Sequence, residues 1–382
     1  MRVRQINWNK QAGWTGLDGA SGDGSLVLYF GGREALACGA RYNELRRFFP
    51  GAHIIGCSTG GQISNDDIND DEVVAAAISF EATKLRLSRQ DITDPRSSRA
   101  CGEAIGRELC ADDLAGVFVL SDGLNVNGSE LVAGFREVIS AATPLTGGLA
   151  GDGADFTETL VGADCVPCAR TVAAVGFYGS AIQLGHGCAG GWDLFGPRRH
   201  VTKSAGNILF ELDGKPALDL YEHYLGPEEA KALPGSALLF PIQVHDAEKP
   251  DTAVVRTVLA VDRAARSMTF AGDIPQGWTA QFMRGNLDRL AAGAADAARQ
   301  ARGGVGADHD DNIFSILVSC IGRRLLMGQR ANDEVEAAGA ELGRETPRVG
   351  FYSYGEISPH AKSGLCELHN QTMTITTLAE VA

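Results

Sequence analysis

One arrangement recurs three times along the chain of 382 residues and limits the folds open to it. A short apolar run predicts a buried strand, a segment with apolar residues at helical spacing predicts a helix, and a second strand ends in a glycine-rich loop. The three copies begin at Leu26–Phe30, Val117–Leu120 and Ile313–Val318. Such strand–helix–strand passages predict sheets with helices on their faces, and their repetition predicts internal pseudo-symmetry.

The helix of each copy is indicated by its apolar spacing and its end signals. The first is predicted over Arg33–Phe49, the second from an N-cap at Ser129 to Ile139, and the third over Ala331–Leu342. Each copy closes with one more strand; these are Val73–Phe80, Val172–Tyr178 and Thr372–Leu378. We therefore predict an α/β protein of two lobes, with pseudo-repeated strand–helix–strand units and mixed sheets.

The segment between the second and third copies follows a different pattern. Ala237–Val244, Val254–Val261 and Ser267–Ala271 predict a meander of strands. Pro216 opens a short helix there, since proline suits the first helical turn. We place a domain boundary at this point, which gives an N-terminal domain over residues 24–215 and a C-terminal domain over residues 216–380.

Composition excludes several classes of protein. A formal net charge of −14 repels phosphate backbones, so nucleic acid is not an expected partner. The nine cysteines form no disulfide framework, which favours a reducing compartment and a cytoplasmic location. No apolar run predicts a signal peptide or a membrane insertion. The acidic run Asp66–Glu72 is predicted to be a solvated loop.

Five segments taken in order resemble the FIST family of bacterial sensory proteins. They are Ile55–Ser64 (IGCSTGGQIS), Gly147–Phe156 (GGLAGDGADF), Val201–Gly226, Val349–Pro359 (VGFYSYGEISP) and Leu368–Thr376 (LHNQTMTIT). The resemblance implies a FIST N-terminal and a FIST C-terminal domain covering nearly the whole chain.

The resemblance also implies a function. A small ligand would bind, and the change would pass in trans to a partner, either a histidine kinase or a cyclic-dinucleotide enzyme. One branch of the family, the NosP type, senses nitric oxide with haem b, so haem is implied as a cofactor of such a member. His369, inside the family-like LHNQT stretch, is then the first candidate axial ligand, followed by His223 and His245. Homodimer formation is left open.

The glycine loops are the predicted ligand site. Backbone N–H groups at a glycine-rich strand end can hold an anion or carboxylate, and Gln62, Asp152 and Glu356 would add polar contacts. The alternative is that the glycines only permit the turns. The predicted ligand-binding residues are Gly56, Cys57, Ser58, Thr59, Gly60, Gln62, Gly148, Asp152, Ser353, Gly355, Glu356 and Asn370.

Two other functions compete with a sensor. Gly56–Gly60 fits G-x-S-x-G, so a hydrolase using Ser58 or Cys57 is one alternative, although the polar residues that follow do not predict the helix of a nucleophile elbow. A scaffold that holds a kinase and binds no ligand is the other. We expect a protein that is not an enzyme.

Two remaining motifs predict structural roles. Cys165 and Cys168 form a C-x-x-C at a predicted hairpin turn, without a second pair to complete a zinc site. The basic pairs Arg323-Arg324 and Arg198-Arg199 are expected to pair with nearby acids rather than to bind a ligand.

Overall fold

A computed structural model describes residues 1–17, 22, 24–70, 72–306 and 313–381. Its strands and helices fall into three units and one insert. The first unit contains β1 (Arg2–Asn9), β2 (Gly13–Thr15), β3 (Leu26–Gly31), α1 (Arg33–Ala37), α2 (Ala40–Phe48), β4 (His53–Ser58), β5 (Gln62–Ser64), β6 (Asp67–Asn69) and β7 (Val73–Ser79). The second unit contains β8 (Lys84–Asp91), α3 (Ser98–Leu109), β9 (Leu114–Ser121), α4 (Gly128–Val138), β10 (Leu145–Leu149), β11 (Val161–Ala163) and β12 (Thr171–Tyr178).

The third unit is split by the insert. It begins with β13 (Ile182–Ala189). The insert contains β14 (Asp193–Ala205), β15 (Ile208–Leu212), β16 (Lys215–Pro216), α5 (Ala217–Leu225), α6 (Pro227–Lys231), β17 (Ile242–Asp246), β18 (Lys249–Arg256), β19 (Val258–Asp262), β20 (Ser267–Phe270) and β21 (Thr279–Arg284). The unit then resumes with α7 (Leu287–Gly303), β22 (Ile313–Cys320), α8 (Ile321–Met327), α9 (Ala331–Leu342), β23 (Arg348–Ser353), β24 (Gly355–Pro359), β25 (Cys366–His369) and β26 (Met373–Glu380).

The three units build three six-stranded sheets and exchange strands in a cycle. The centre of each sheet is a parallel pair from one unit, namely β3 with β4, β9 with β10, or β22 with β23. The strand after each glycine loop leaves its own sheet: β5 pairs with β23, β11 with β4, and β24 with β10. The predicted repeat and mixed sheets are confirmed, and the repeat proves to be a pseudo-threefold arrangement.

One glycine occupies the same place in each parallel pair. These glycines and the strand residues they face are Gly56 against Tyr29, Gly147 against Val119 and Gly350 against Leu317. A Cβ atom at these positions would lie only 1.9 to 2.2 Å from the carbonyl oxygen of the facing residue. Only glycine fits here, so its recurrence marks the close approach of the two strands in every unit.

The apolar runs recognised in the sequence form the core. β3, β12 and β22 are buried at every position, as expected for strands covered on both faces. Side chains from all three sheets meet in one apolar cluster, where the rings of Phe30 and Phe351 stack with centroids 4.7 Å apart. Among the described residues, no helix combines the length and apolar character needed to cross a membrane.

The insert forms a fourth, eight-stranded sheet with its own apolar core. It leaves the third unit after β13 and rejoins it at α7. The predicted domain boundary at residue 216 lies inside this sheet, because β14 and β15 precede that residue and β17 to β21 follow it.

Several local predictions need correction. The helix predicted over Arg33–Phe49 is two helices, because Gly39 adopts a φ of 71° between α1 and α2. The cap of α4 is Asn127, whose side-chain oxygen accepts the N–H groups of Ser129 and Glu130. The helix predicted over Ala331–Leu342 is confirmed with those bounds.

The predicted meander is confirmed only in outline. The segment predicted as a strand over Ala237–Val244 begins with a 3-10 turn, and β17 starts only after Pro241, which has no N–H to donate. The strand predicted over Val254–Val261 is interrupted at Thr257, between β18 and β19.

The acidic run Asp66–Glu72 is not simply a solvated loop. Asp67–Asn69 forms β6, and Asp66 accepts a hydrogen bond of 2.6 Å from Arg348. Asp70 pairs with Arg324 at 2.6 Å. Asp71, also in the run, lies outside the described residues.

Candidate functional site

The three glycine loops meet at the pseudo-threefold axis through a cycle of backbone hydrogen bonds. Each loop donates one N–H to the carbonyl of another loop, at equivalent positions in all three units. The bonds run from Gly60 to Tyr352 (2.8 Å), from Gly151 to Ser58 (2.9 Å) and from Tyr354 to Leu149 (3.1 Å). The loops therefore converge in space, but these three N–H groups are used to join the units and are not free to hold an anion.

Equivalent side chains brace the first and third loops. Ser353 donates its hydroxyl to the Glu356 carboxyl at 2.6 Å. In the first loop Thr59 and Gln62 occupy the same two places, with Thr59 Oγ1 lying 2.7 Å from the Gln62 amide. The orientation that satisfies this amide directs its oxygen to Thr59 and its nitrogen to the carbonyls of Asn69 and Asp70. The polar side chains that the sequence assigned to a ligand are thus largely occupied within their own loops.

Asp152 has a comparable role in the second loop. Its carboxylate accepts the backbone N–H groups of Thr157 (2.8 Å) and Glu158 (2.9 Å) and the hydroxyl of Tyr354. Partial burial by itself would raise the pKa of Asp152, but these hydrogen bonds outweigh it and lower the pKa. Asp152 therefore stays ionised and holds the second loop to the third unit.

Two cavities flank the place where the loops meet. The first, which we name the polar cleft, has a volume of about 560 Å³ and lies between Thr59–Gln62, residues 152–155, the start of α1 and helix α8. Four of its charged side chains form two pairs. Arg324 pairs with Asp70, and Arg33 lies 3.6 Å from Asp155. Thr59, Gly60, Gln62 and Asp152 are the predicted site residues that line it.

The second cavity, which we name the neutral cavity, has a volume of about 340 Å³ and lies between the insert and the three-unit core. The core contributes Leu149, Tyr354 and Asn370, and the insert contributes Thr257 and Phe270, among others. No charged side chain is present among the described residues that line it. Sites for small molecules are commonly of this size, mostly apolar, with a few polar groups that orient the ligand.

Two buried polar side chains of the neutral cavity lack hydrogen-bond partners. Both Nδ2 and Oδ1 of Asn370 are unpaired although the residue is only 1% exposed. Thr257 Oγ1 on the opposite wall is also unpaired, and that residue is 4% exposed. Buried polar groups are nearly always satisfied, so an unpaired amide and an unpaired hydroxyl on residues that line one cavity point to a ligand-binding role.

The predicted site residues are thus divided. Asn370 lines the neutral cavity, and four others line the polar cleft. The remaining predicted residues are buried between strands and line neither; they are Gly56, Cys57, Ser58, Gly148, Ser353, Gly355 and Glu356. Thr257 and Phe270 were missed, because a threonine and a phenylalanine in a strand meander carry no signal beyond that of a core residue.

Ser58 and Cys57 show no arrangement for nucleophilic catalysis. Within the described chain, Ser58 Oγ accepts the N–H of Leu160 at 2.8 Å and has no bond to a histidine. Burial raises the pKa of the Cys57 thiol well above its usual value. β4 is followed by the β5–β6 hairpin and not by the helix of a nucleophile elbow.

This geometry makes Ser58 a structural residue, which a substitution can test. We expect Ser58→Ala to lower the free energy of unfolding by about 1–3 kcal/mol, because the buried N–H of Leu160 loses its acceptor. Ser129→Ala is the matched control: Ser129 Oγ is buried without a partner, so its loss should change stability by less than about 0.5 kcal/mol. Urea denaturation of both variants measures the difference. Unchanged stability together with lost hydrolysis of a chromogenic ester would instead support the hydrolase alternative.

His369 does not fit a haem ligand. Its Nε2 lies 3.0 Å from the carbonyl oxygen of Ser358, which can only accept, so this nitrogen carries the proton. Burial lowers the pKa of His369 to about 3, and its ring stacks on His360 with centroids 6.0 Å apart. The cavity beside it measures about 220 Å³, below the usual range for small-molecule sites and too small for a macrocycle.

The other two histidine candidates also lie in ordinary surroundings. His245 Nδ1 is 2.9 Å from the carbonyl of Asp246, and His223 packs edge-on against Tyr224. Among the described residues, no cluster of three or more His, Cys, Asp or Glu side chains could hold a metal ion. Haem binding at another place stays a prediction.

The cysteine motif and most of the basic pairs have structural partners. Cys165 and Cys168 lie between β11 and β12, and the guanidinium of Arg89 donates to both sulfur atoms, at 3.0 and 3.3 Å. The predicted ion pairs are confirmed for three arginines. Arg323 pairs with Glu334, Arg324 with Asp70, and Arg199 with Asp213.

Fold and cavities together define a mixed α/β protein with an inserted sheet and room for a small molecule beside converging glycine loops. The chain belongs to the FIST family: the model of the FIST N domain matches residues 25–215 and that of the FIST C domain matches residues 217–359. FIST domains are sensory domains for small ligands, so the resemblance found in the sequence is confirmed at that level.

The individual proteins that are similar to this chain do not narrow its function further. An uncharacterized protein of Methanocaldococcus jannaschii is 23% identical over 359 residues, covering 82% of this chain, while the chain spans 66% of that relative's length. Among solved structures, a cyanuric acid hydrolase from A. caulinodans covers 100% of this chain and is itself covered to 99%, at 9% identity. The TM-score of that match is 0.32, too low to support an argument about fold or activity.

Proposed function

We propose that this chain is a non-enzymatic sensory protein whose small ligand binds in the neutral cavity and fixes the insert against the three-unit core. One observation carries the proposal: the Asn370 amide is buried and lines the cavity with neither its donor nor its acceptor paired. A buried polar group without a partner costs about 1–3 kcal/mol, so a ligand that pairs with the Asn370 amide recovers that free energy.

Contacts between the insert and the core offer a route for the signal. Arg256, at the end of β18 and beside Thr257, donates to the carbonyl of Leu368 at 2.9 Å. Leu368 belongs to β25, which leads directly to Asn370. A ligand that bridges Thr257 and Asn370 would therefore join the two sides of this contact. The change in their relative position would be what a partner reads.

The partner and the cofactor remain part of the proposal. A histidine kinase or a cyclic-dinucleotide enzyme acting in trans is the expected recipient, as the family resemblance implies. A haem-based response to nitric oxide would need a site other than His369. An absorption spectrum of protein purified from haem-supplied cells tests this, since bound haem gives an intense Soret band.

The location of the ligand is tested by closing each cavity in turn. Leu259 is 48% exposed and lines the neutral cavity, while Leu325 is 43% exposed and lines the polar cleft. Because both side chains are exposed, tryptophan at either place should narrow a cavity entrance at little cost in folding. We expect fractions of a bacterial metabolite extract that raise the melting temperature of the wild type to do so for Leu325→Trp but not for Leu259→Trp.

Each other outcome contradicts a part of the proposal. A shift that survives in Leu259→Trp and is lost in Leu325→Trp would move the ligand to the polar cleft. No shift with any fraction would favour a scaffold without a ligand. Turnover of a compound in an active fraction would favour an enzyme.

A further inference from the structure

The chemistry of the neutral cavity restricts its ligand further than its size does. We infer that the cavity binds a neutral, flat molecule bearing a carboxamide or lactam group, paired edge to edge with the side chain of Asn370. The inference rests on the proposed function and specifies the class of ligand.

The first argument is that the described lining of the cavity has no charged side chain, which disfavours a charged ligand. None of the described side chains that line the cavity carries a charge. A carboxylate or an ammonium group moved there from water would lose its hydration without gaining a counter-ion from the lining, which weakens its binding. The polar cleft, which is lined by Arg33, Arg324, Asp70 and Asp155, offers charged ligands the partners that the neutral cavity lacks.

The second argument is that the side-chain amide of Asn370 selects the polar group of the ligand. It has an N–H donor and a carbonyl acceptor side by side, and both are buried and unpaired. The group that satisfies both at once has an acceptor beside a donor in one plane, as a carboxamide or lactam does. A ketone, an ether or an alcohol would leave one atom of the amide unsatisfied or poorly aligned.

The third argument is that the aromatic side chains of the lining favour a flat ligand. The rings of Phe156 and Tyr354 stack with centroids 4.6 Å apart and planes inclined by 17°, and both residues line the cavity. Phe270 lies in the same lining. Aromatic walls favour flat ring systems, which bury much area at little loss of internal freedom. Thr257 Oγ1, at the other side of the cavity, can bond a further polar atom of such a ring.

Ordered water alone is an insufficient occupant. The volume of about 340 Å³ is roughly ten times the share of one molecule in liquid water, and most of the lining is apolar. Water placed against those walls finds few partners. A flat molecule with one amide edge satisfies Asn370 and covers the apolar walls at the same time.

Four probes of matched size test the inference on the full chain: benzamide, benzoate, benzylamine and toluene. Ligand-observed NMR and the melting temperature report binding. We expect benzamide to bind at least about tenfold more tightly than either charged probe, because only benzamide pairs with Asn370 without burying a charge. Asn370→Leu, which keeps the size of the side chain, should reduce benzamide affinity about tenfold and leave toluene affinity nearly unchanged.

The variants separate this inference from the proposed function. A charged probe that binds as tightly as benzamide and is excluded by Leu259→Trp would overturn the ligand class but retain the cavity as the site. Benzamide binding that is unchanged in Asn370→Leu, or no benzamide binding, would also overturn the ligand class. If Asn370→Leu fails to fold, Thr257→Val takes its place, with a loss of a few-fold expected. The proposed function itself is decided by the extract experiment with Leu259→Trp and Leu325→Trp.

Discussion

Replacing Arg323 with methionine is expected to lower the free energy of unfolding by about 3–5 kcal/mol. The side chains of Arg323 and Glu334 are completely buried, with Nη2 and Oε2 2.6 Å apart. Methionine fills much of the same volume but leaves the Glu334 carboxylate without its counter-ion inside the protein. Removing one partner of a buried pair is far more damaging than the net stabilisation that the pair provides.

Arg323 also holds together the two chain segments that flank the insert. Its guanidinium donates to the carbonyl of Gly190 at 2.5 Å, just before the insert, and to that of Leu290 at 2.8 Å, just after it. These two carbonyls lose their donor in the variant, which adds to the destabilisation. We therefore expect the segments on both sides of the insert to lose protection from hydrogen exchange as well.

Two further variants test whether the unpaired buried charge of Glu334 causes the loss of stability. Arg324→Met removes the neighbouring arginine, whose partner Asp70 is 67% exposed, so this change should cost only about 1 kcal/mol. In Arg323→Met/Glu334→Gln a neutral amide replaces the carboxylate and its oxygen can still accept from Ser319 and Tyr352, so much of the lost stability should return. Guanidinium denaturation measures all three. Equal losses in the Arg323 and Arg324 variants would show that burial of the pair is not the source of the effect.

Local patterns predicted the repeat but not how its copies are joined. Apolar runs such as Leu26–Phe30 and Ile313–Val318 form strands that are buried on both faces. Burial on both faces requires consecutive apolar residues, which can be recognised in the sequence. Which sheet the strand after a glycine loop enters is decided by contacts between distant units. The bond from Gly60 to Tyr352 spans almost the whole chain, so the exchange of strands left no local signal.

The candidate site was predictable to a similar extent. The glycine loops were recognised and do converge, but their polar groups form hydrogen bonds with one another, as those of Gln62 and Thr59 do. Asn370 was found through the resemblance to a family and not through a pattern. Thr257 comes from a segment inserted more than a hundred residues earlier in the chain, and only the folded structure places it opposite Asn370.

Exchanging Glu356 for glutamine is expected to make the stability of the protein less sensitive to a rise in pH from about 4.5 to 8. The carboxyl is completely buried, and burial raises its pKa to about 8 from an ordinary value near 4.5. Hydrogen bonds from Ser353 and Thr372 and the charge of Arg323 oppose this shift but do not cancel it. The folded state therefore retains a proton that the unfolded chain releases.

The sign of the pH effect follows from the raised pKa. The stability that Glu356 contributes is fully present below pH 4.5 and is lost as the pH rises to about 8. Each pH unit in this window costs up to about 1.4 kcal/mol, so the total is on the order of 3–5 kcal/mol. His369 has the opposite effect, because its pKa is lowered to about 3 and its contribution is lost as the pH falls below 6.5. Glu356→Gln should thus flatten the stability profile between about pH 4.5 and 8 and leave the profile below pH 4.5 unchanged.

The pseudo-threefold repeat supplies a reciprocal test. Gln62 occupies in the first unit the place that Glu356 occupies in the third, each beside an equivalent hydroxyl, of Thr59 or Ser353. Glutamine is therefore compatible with this loop, where it can accept from Thr372 and donate to Ser353. Gln62→Glu would place a carboxyl against the carbonyls of Asn69 and Asp70, which favour its protonated form, and so should create a new loss of stability at alkaline pH. Urea denaturation between about pH 5 and 9 measures both variants. Parallel profiles for Glu356→Gln and the wild type would show that Glu356 is already ionised in the folded protein.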